Sequence, residues 1–545
     1  MTRAAAKPPG IRQTMSDLHT WTGLLLGWVL YAMFLTGTVS YFRDEISQWM
    51  RPELPHRETV PDPAAVAQRI GERLALLAPD TPQWGIRLPD ARNSTVSAFW
   101  RVPAAPGQRG FAEANFDPVT AEKVAGRGTL GGEFFYRFHF QFHYMPVLWG
   151  RWLAGLAAMF MLVAIVSGVI THKKIFTDFF TFRWGKGQRS WLDAHNALSV
   201  FGLPFHAMIT YTGLVTLMAL YMPWGEQAAF KTPAERQQLT AELSAFIQPG
   251  KPTGQAAPLA PLDAMVRQAQ ARWGEHNVSR VTVTNAGDTA ARVSVLRGEE
   301  ARVSMSPQYL LFDGATGALL QAKDRVGGAA ETRGVLYALH LGRFGDTTMR
   351  WLYFIVSLAG TAMVGTGLVM WTVKRRQKLP DPAKPYFGFA VVERLNIAGI
   401  AGLSIAMAAF LWGNRLLPQS LADRPNAEIN LFFAVWAATL LHALARPAKR
   451  AWIEQLWAAC ALLDLLPVLN MLVTERPLWR SLAAGDWVFA GMDGMLWALA
   501  GLHAWLALRT ARHRPRVPAG KARRVPREPR APRAGGDALA EEGGA

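Results

Sequence analysis

The chain has 545 residues, of which 50% are hydrophobic, and it carries a formal net charge of +18 with a single cysteine, Cys460. One cysteine excludes a disulfide framework and argues against thiolate-held iron–sulfur or zinc sites. Apolar residues are concentrated in runs of about 20, the length that crosses about 30 Å of hydrocarbon. Basic residues lie beside these runs and in an Arg- and Pro-rich tail, so the charge indicates membrane topology rather than nucleic-acid binding.

The apolar runs predict an all-α membrane bundle of about eight transmembrane helices. They span roughly residues 19–42, 149–172, 195–221, 349–373, 394–417, 427–446, 452–473 and 485–509. Two long polar segments interrupt this pattern, at about 43–133 between the first two helices and at about 222–338 between the next two. These segments are long enough to fold outside the membrane.

Basic residues set the expected orientation. They cluster in the loop 173–194, after the fourth run at 374–378, and after the sixth at 446–450. Because basic loops stay in the cytoplasm, we expect the termini there as well, and the two polar segments in the periplasm of a bacterial inner membrane. The N-terminus covers 1–18. The tail over 510–545 is expected to be disordered and suits an anionic membrane surface.

The first four runs contain an internal repeat. The matched positions are His19 and His195, Gly37 and Gly213, Arg151-Trp152 and Arg350-Trp351, and Ser167-Gly168 and Thr366-Gly367. Residues 19–172 and 195–373 are therefore two copies of one unit of helix, outside segment and helix, and four additional helices follow over 394–509. A glycine beside a small residue lets neighbouring helices approach closely.

The outside segments repeat as well, and each reads as a small α+β module. A helix-like run begins at Pro63 in the first segment and at Leu262 in the second. Strand-like pieces follow, and each segment then has a strand–turn–strand motif, FDPVTAEKV from Phe116 and FDGATGALL from Phe312. The fold class is thus a helical bundle with two inserted α+β modules.

Over about residues 11–378 the chain resembles the PepSY-associated transmembrane family. The two outside turns and four motifs carry the resemblance: LHTWTGLLLG from Leu18, HKKIFTDFFTFR from His172, DAHNALSVFGLPF from Asp193 and LHLGRFGDTTMRWLYF from Leu339. The resemblance implies PepSY-like modules in the polar segments and a role in iron acquisition. Some members are haem-containing inner-membrane reductases that release iron from ferric siderophores in the periplasm.

Histidines at membrane depth are the main candidates for chemistry, because imidazole pairs from neighbouring helices commonly hold b-type haem. His19, His172 and His195 are expected near the cytoplasmic face, and His139, His143 and His340 near the outer face. His206 follows His195 by 11 residues, about three turns, which would place both on one helix face at two depths.

We therefore hypothesise two haem b groups. The inner one would use His195 with His172 or His19, and the outer one His206 with His139, His143 or His340. His139 and His143 are four residues apart and would point the same way, one binding iron while the other meets a haem propionate or the substrate. Each histidine has an alternative interpretation as an interfacial side chain without a ligand role.

Polar residues beside these histidines extend the hypothesis. Arg343, Arg350, Arg137 and Arg151 could contact haem propionates or an anionic chelate, because the guanidinium matches a carboxylate, or they could contact lipid headgroups. Asp464 and Asp493 could belong to a proton or quinone path, or make helix–helix hydrogen bonds.

The sequence and the resemblance together predict a di-haem b-type electron-transfer protein that reduces ferric siderophores or other ferric chelates in the periplasm. The electron donor would be a quinol or a cytoplasmic flavoprotein, and lipid would be a further partner. Two alternatives are open: a PepSY-type binding or regulatory protein without haem, and a permease accessory for siderophores or metal.

Overall fold

The protein is mostly helical, with one antiparallel sheet, in a computed structural model. It describes residues 10–513 except 56–58, 91, 94, 104–109, 173, 246–249, 300–301 and 382–383. The predicted tail lies outside the described residues from 514 onward, and so does the N-terminus over 1–9.

The first copy of the repeat contains six helices and four strands. The helices are α1 (Ile11–Leu25), α2 (Gly27–Ser40), α3 (Arg43–Trp49), α4 (Pro63–Leu77), α5 (Gly132–Gln141) and α6 (Val147–Thr171). The strands are β1 (Gln83–Arg87), β2 (Val96–Arg101), β3 (Phe111–Phe116) and β4 (Lys123–Val124).

The second copy repeats this order with additional short helices. Its helices are α7 (Ile175–Phe179), α8 (Gln188–Phe201), α9 (Leu203–Thr216), α10 (Met218–Tyr221), α11 (Pro223–Ala229), α12 (Pro233–Leu243), α13 (Leu262–Trp273), α14 (Gly328–Leu341) and α15 (Thr347–Arg376). Its strands are β5 (Val278–Thr284), β6 (Arg292–Arg297), β7 (Tyr309–Asp313) and β8 (Leu319–Lys323). Both helix-like runs predicted from Pro63 and Leu262 are therefore helices.

The last part of the described chain is helical: α16 (Phe387–Leu416), α17 (Arg424–Ala445), α18 (Ala448–Val473), α19 (Leu478–Ala483) and α20 (Trp487–Arg512). The packing partners are α18 with α20 and α16 with both α17 and α18. These helices share a hydrophobic core with α2, α5 and α6.

Both predicted first helices of the repeat are broken. The chain bends by 66° between α1 and α2, at Leu26, and by 68° between α8 and α9, at Gly202. Gly202 matches Leu26 by the same offset that relates His195 to His19. In the second copy Pro204 follows the break, and its missing N–H cannot continue a helix ladder. Each predicted first span of the repeat is therefore made of two helices that meet at a bend.

In the described chain, five helices are each long and apolar enough to cross a membrane, namely α6, α15, α16, α17 and α18. The count rises to seven if each bent pair forms one span. The chain is thus a multi-pass membrane protein. The eighth predicted span coincides with α20, which lies outside this group, so the number eight stays a prediction.

The two outside segments form one eight-stranded sheet instead of two separate sheets. Its strand order is β4-β3-β2-β1-β5-β6-β7-β8, and β1 pairs antiparallel with β5, with Trp84 opposite Val283. Joining the two copies in this way removes two exposed strand edges. Helices α4 and α13 pack together, and their apolar residues share one core with the strands.

The predicted strand–turn–strand motifs are confirmed and use the same turn chemistry. Asp117 Oδ1 accepts hydrogen bonds from the N–H groups of Val119 (2.7 Å) and Thr120 (3.0 Å). Asp313 Oδ1 accepts the corresponding bonds from Ala315 (3.1 Å) and Thr316 (3.0 Å). An aspartate at this position replaces backbone acceptors in the turn.

Candidate functional site

Two pairs of imidazoles lie where the two copies of the repeat meet. His19 and His195 have ring centroids 6.2 Å apart with an interplanar angle of 69°. His139 and His340 have centroids 6.3 Å apart with an angle of 30°. Each pair takes one residue from each copy. We call them the first pair (His19 and His195) and the second pair (His139 and His340).

In the first pair, each Nδ1 is bonded to a main-chain carbonyl of a neighbouring helix. His19 Nδ1 lies 2.8 Å from the carbonyl oxygen of Ala164 in α6. His195 Nδ1 lies 2.9 Å from that of Met363 in α15. A carbonyl only accepts, so Nδ1 carries the hydrogen in both rings, which leaves the Nε2 lone pair free to bind a metal.

The second pair repeats the arrangement on α2 and α9. His139 Nδ1 lies 2.6 Å from the carbonyl oxygen of Met33, and His340 Nδ1 lies 3.0 Å from that of Ile209. Within the described chain, no hydrogen-bond partner contacts Nε2 of any of these four histidines. Metal-binding histidines usually donate their other N–H to a carbonyl or carboxylate in this way.

A glycine makes room for each ring. A Cβ on Gly37 would lie 2.7 Å from His139 Cε1, and one on Gly213 would lie 2.9 Å from His340 Cε1. For the first pair, the corresponding glycines are Gly168 against His19 and Gly367 against His195, both at 3.1 Å. The glycines recognised as repeat positions therefore allow a histidine to approach closely, rather than serving helix contacts alone.

The hydroxyl residue before each glycine bonds the carbonyl that the histidine uses. Around the second pair, the hydroxyl-to-carbonyl distances are 3.4 Å from Thr36 to Met33 and 3.3 Å from Thr212 to Ile209. Around the first pair, they are 3.2 Å from Ser167 to Ala164 and 2.9 Å from Thr366 to Met363. One carbonyl thus accepts both a hydroxyl and an imidazole N–H at all four positions. This repeated arrangement restricts the orientation of every ring.

Burial keeps the second pair neutral. His139 and His340 lie on α5 and α14, which are not among the candidate spans. Burial lowers the pKa of His139. Burial, together with the neighbouring His139, lowers the pKa of His340 to about 3. Neutral imidazole is the form that coordinates a metal.

The spacing of the pairs fits a metal held between two rings. In such a site each metal–nitrogen bond is about 2.0 Å long, and the ring centre lies about 1.2 Å beyond the nitrogen. Two imidazoles that bind one metal from opposite sides therefore have ring centroids about 6.4 Å apart. The observed values are 6.2 and 6.3 Å. Among the described residues, no group of three or more His, Cys, Asp or Glu is placed to hold a metal ion. Two protein ligands suit haem iron, because the porphyrin supplies the remaining nitrogens.

His206 lies apart from both pairs. Its Nε2 is 3.3 Å from the carbonyl oxygen of Val356, and its ring contacts Phe34 and Phe205. The prediction that His195 and His206 share one helix face is wrong, because the chain bends by 68° at Gly202 between them. Nδ1 of His206 is buried and has no hydrogen-bond partner in the part of the chain that the structure describes.

His143 and His172 also differ from the expected arrangement. Helix α5 ends at Gln141 and Phe142 has a φ of +55°, so His143 does not lie on the same helical face as His139. The His143 ring stacks on Phe433, 5.6 Å away at 17°. His172 is the C-cap residue of α6, and its buried Nδ1 has no hydrogen-bond partner among the described residues. In the described chain, neither ring makes a ring-to-ring contact with another histidine.

The four predicted arginines are all engaged within the protein. Arg343 pairs with Glu299 (3.1 Å), Arg350 with Glu45 (2.6 Å) and Arg137 with Glu133 (3.0 Å). Arg151 Nη2 donates to the side chain of Gln141, 3.3 Å away. Arg343 and Arg350 also line a small pocket with Arg43 and Arg92, directly after the helix that carries His340.

The predicted aspartates belong to the helix packing. Asp493 accepts hydrogen bonds from Trp49 Nε1 (3.0 Å) and Asn470 Nδ2 (3.2 Å), as the hydrogen-bond interpretation expected. Trp497 Nε1 donates to the main-chain carbonyl of Asp464.

The sequence analysis offered His19 as one of two partners for His195, but it did not pair His139 with His340. Residues at matching positions of a two-fold repeat meet at the axis, and His19 matches His195 by the same rule that makes His139 match His340. Helical spacing inside one run drew attention to His206 instead.

The chain is similar to one known family and to one bacterial protein. The model of the family described as "PepSY-associated TM region" matches residues 16–374. An uncharacterized protein of Pseudomonas aeruginosa is 27% identical over 379 residues, which is 66% of this chain and 92% of that protein. Both matched stretches are long enough to include the four paired histidines.

Proposed function

This chain belongs to the PepSY-associated transmembrane family, and we propose that it is a di-haem electron-transfer protein that reduces ferric chelates. One observation carries the proposal: two symmetric histidine pairs, with centroids 6.2 and 6.3 Å apart, whose Nδ1 atoms are bonded to carbonyls and whose Nε2 atoms have no partner in the described chain. One haem b would bind His19 and His195, and the other His139 and His340.

The ligand pairing proposed here uses His19, one of the two partners expected for His195. It replaces His206 by a pair formed between His139 and His340. Haem, when bound, accepts and releases single electrons at a potential that its surroundings tune. The residues of this chain would supply the axial imidazoles and fix their rotation through the main-chain carbonyls.

The proposed direction of transfer follows from the two ends of the bundle. The first pair lies on α1 and α8, towards the basic loops, and the second pair on α5 and α14, towards the sheet. We place the basic loops in the cytoplasm of an inner membrane and the sheet in the periplasm. Electrons would then enter at the first pair and leave at the second.

We propose that the ferric chelate docks on the arginines around the small pocket beside the second pair, which at about 30 Å³ is too small to enclose a chelate. Arg43, Arg92, Arg343 and Arg350 line it, and Tyr41 contributes a polar edge. An anionic oxygen-rich chelate could exchange with the carboxylates that these arginines now bind. Reduction to ferrous iron weakens the hold of hard oxygen ligands, so one-electron transfer suffices to release the metal.

Optical spectra of the purified full chain test the proposal. We expect a bis-histidine b-type spectrum with two haems per chain, of which His195→Ala and His340→Ala each remove one. His206→Ala is the matched control and should retain both. Adding a ferric siderophore to the reduced protein should reoxidise it. A protein without a Soret band, produced in haem-replete cells, would refute the proposal.

A further inference from the structure

A large cleft separates the repeat from the added helices. Its volume is about 2910 Å³, and α2, α15, α16, α18 and α20 provide most of its lining. Trp487 and Trp505 line it and are 73% and 47% exposed, so the cleft opens on the lateral surface of the bundle. Apolar side chains such as Met407, Leu463 and Leu499 form its interior. A lateral apolar cleft at membrane depth suits a lipophilic molecule.

One arginine in the cleft lining has an unsatisfied nitrogen. Arg394 lines the cleft, and its buried Nη1 makes no hydrogen bond to the described residues. Nη1 itself is closed to the cleft, but the Arg394 side chain is only partly buried and forms no ion pair in the described chain. An oxygen of the occupant would bind its exposed part, so the occupant carries a polar head as well as an apolar body.

The cleft reaches the first histidine pair. Thr366 lines it, and the Thr366 hydroxyl oxygen lies 3.4 Å from His195 Nδ1. A hydrogen bond of 2.9 Å, donated by Asn396 Nδ2 to the carbonyl oxygen of Leu368, joins α16 to α15. Counting from this bond at about 1.5 Å per residue, Thr366 and Arg394 lie about 6 Å apart along the helix axes.

We propose that this cleft binds an isoprenoid quinol, which is the electron donor of the protein. The inference rests on the proposed function. A quinol has two oxygens at opposite ends of its ring. One would bind Arg394 and the other would face Thr366, while the prenyl tail would lie against the apolar walls. A phospholipid phosphate could satisfy Arg394, but its acyl chains offer nothing to Thr366.

The reaction balances with two one-electron acceptors. The quinol gives up two electrons and two protons and becomes a quinone. Two haems, when bound at the histidine pairs, would take up one electron each, and the cleft approaches them through Thr366 beside His195. The protons leave to water at the basic end of the cleft, where Glu393 lines it, paired with Arg376.

Binding of decylubiquinone to the detergent-solubilised full chain, with and without haem, tests the site. Quenching of tryptophan fluorescence reports it, since Trp452 lines the cleft. We expect saturable binding that Arg394→Met weakens at least tenfold. Arg450→Met is the matched control, because Arg450 is exposed and does not line the cleft. The quinol form should reduce the haems of the wild-type protein.

A second variant tests whether a bulky side chain in the cleft weakens quinone binding. Gly491 lines the cleft, and a Cβ there meets nothing within 4 Å. Gly491→Phe should therefore fill part of the cleft and weaken binding, whereas Gly494→Phe, at a position where a Cβ is equally free but outside the lining, should not. Absence of saturable binding, or unchanged binding in both Arg394→Met and Gly491→Phe, overturns the inference. So does competition by phosphatidylglycerol vesicles that abolishes quinone binding.

The two proposals fail separately. A normal bis-histidine spectrum without quinone binding overturns the quinol site and leaves the proposed function standing. Quinone binding by a chain that never takes up haem overturns the proposed function and leaves the binding site standing.

Discussion

Replacing Gly37 by alanine is the sharpest test of how the second pair is held. The new Cβ would lie 2.7 Å from both Nδ1 and Cε1 of His139. Ordinary contact distances are about 3.5–4.0 Å, so the ring must move by roughly 0.8–1.3 Å. Metal ligands tolerate displacements of only about 0.5 Å. We therefore expect Gly37→Ala to lose the haem that we propose for His139 and His340.

The same change should not unfold the protein. Alanine is favoured over glycine in a helix by about 1 kcal/mol, and Gly37 lies inside α2. Gly23→Ala is the matched control, since it has the same propensity gain and its Cβ would meet nothing within 4 Å. The expected result is one haem per chain in Gly37→Ala and two in Gly23→Ala.

The assay is a pyridine haemochrome measurement per chain, combined with a redox titration. Gly37→Ala should lose one of two midpoint potentials while the thermal unfolding midpoint is maintained. Two haems with an unchanged spectrum in Gly37→Ala would show that Gly37 does not position His139. Equal loss in Gly23→Ala would show that the effect is not local.

Three further predictions concern the packing around the site. Arg424 and Glu428 form a buried ion pair, with side chains 2% and 0% exposed. Arg424→Met should therefore lower the free energy of unfolding by about 3–5 kcal/mol, and adding Glu428→Gln should recover part of that loss, as measured by thermal unfolding. Trp49→Phe removes the N–H that Asp493 accepts and should cost about 1–3 kcal/mol, unlike Trp457→Phe at an exposed position. Asp313→Ala removes the acceptor of two turn N–H groups and should speed proteolysis between β7 and β8, which N-terminal sequencing of the fragments would locate.

The added helices are attached to the first copy through buried polar groups that the sequence did not single out. Arg415 Nη2 donates to the carbonyl oxygen of Trp49 (2.6 Å), and Arg127 Nη1 donates to that of Asn414 (2.7 Å). Arg415 lies at the end of α16 and Arg127 precedes α5. Contacts between residues so far apart in the chain leave no periodic signal, so pattern analysis does not find them.

Local features were predictable because their causes are local. The turn aspartates Asp117 and Asp313, the helices from Pro63 and Leu262, and the helix–module–helix repeat follow from turn chemistry and apolar periodicity. The bends at Leu26 and Gly202 were missed. Both halves of each run are helical, and in the first copy no proline marks the break.

By itself, the sequence determined that this protein crosses a membrane several times and is built from a duplicated unit, because hydropathy and repeat spacing act over short stretches of chain. Only the tertiary structure decided which histidines meet. His19 faces His195, and His139 faces His340, because the two copies pack around a common axis. The bend at Gly202 directs His206 elsewhere, and such a rotation depends on contacts between helices rather than on the spacing within one.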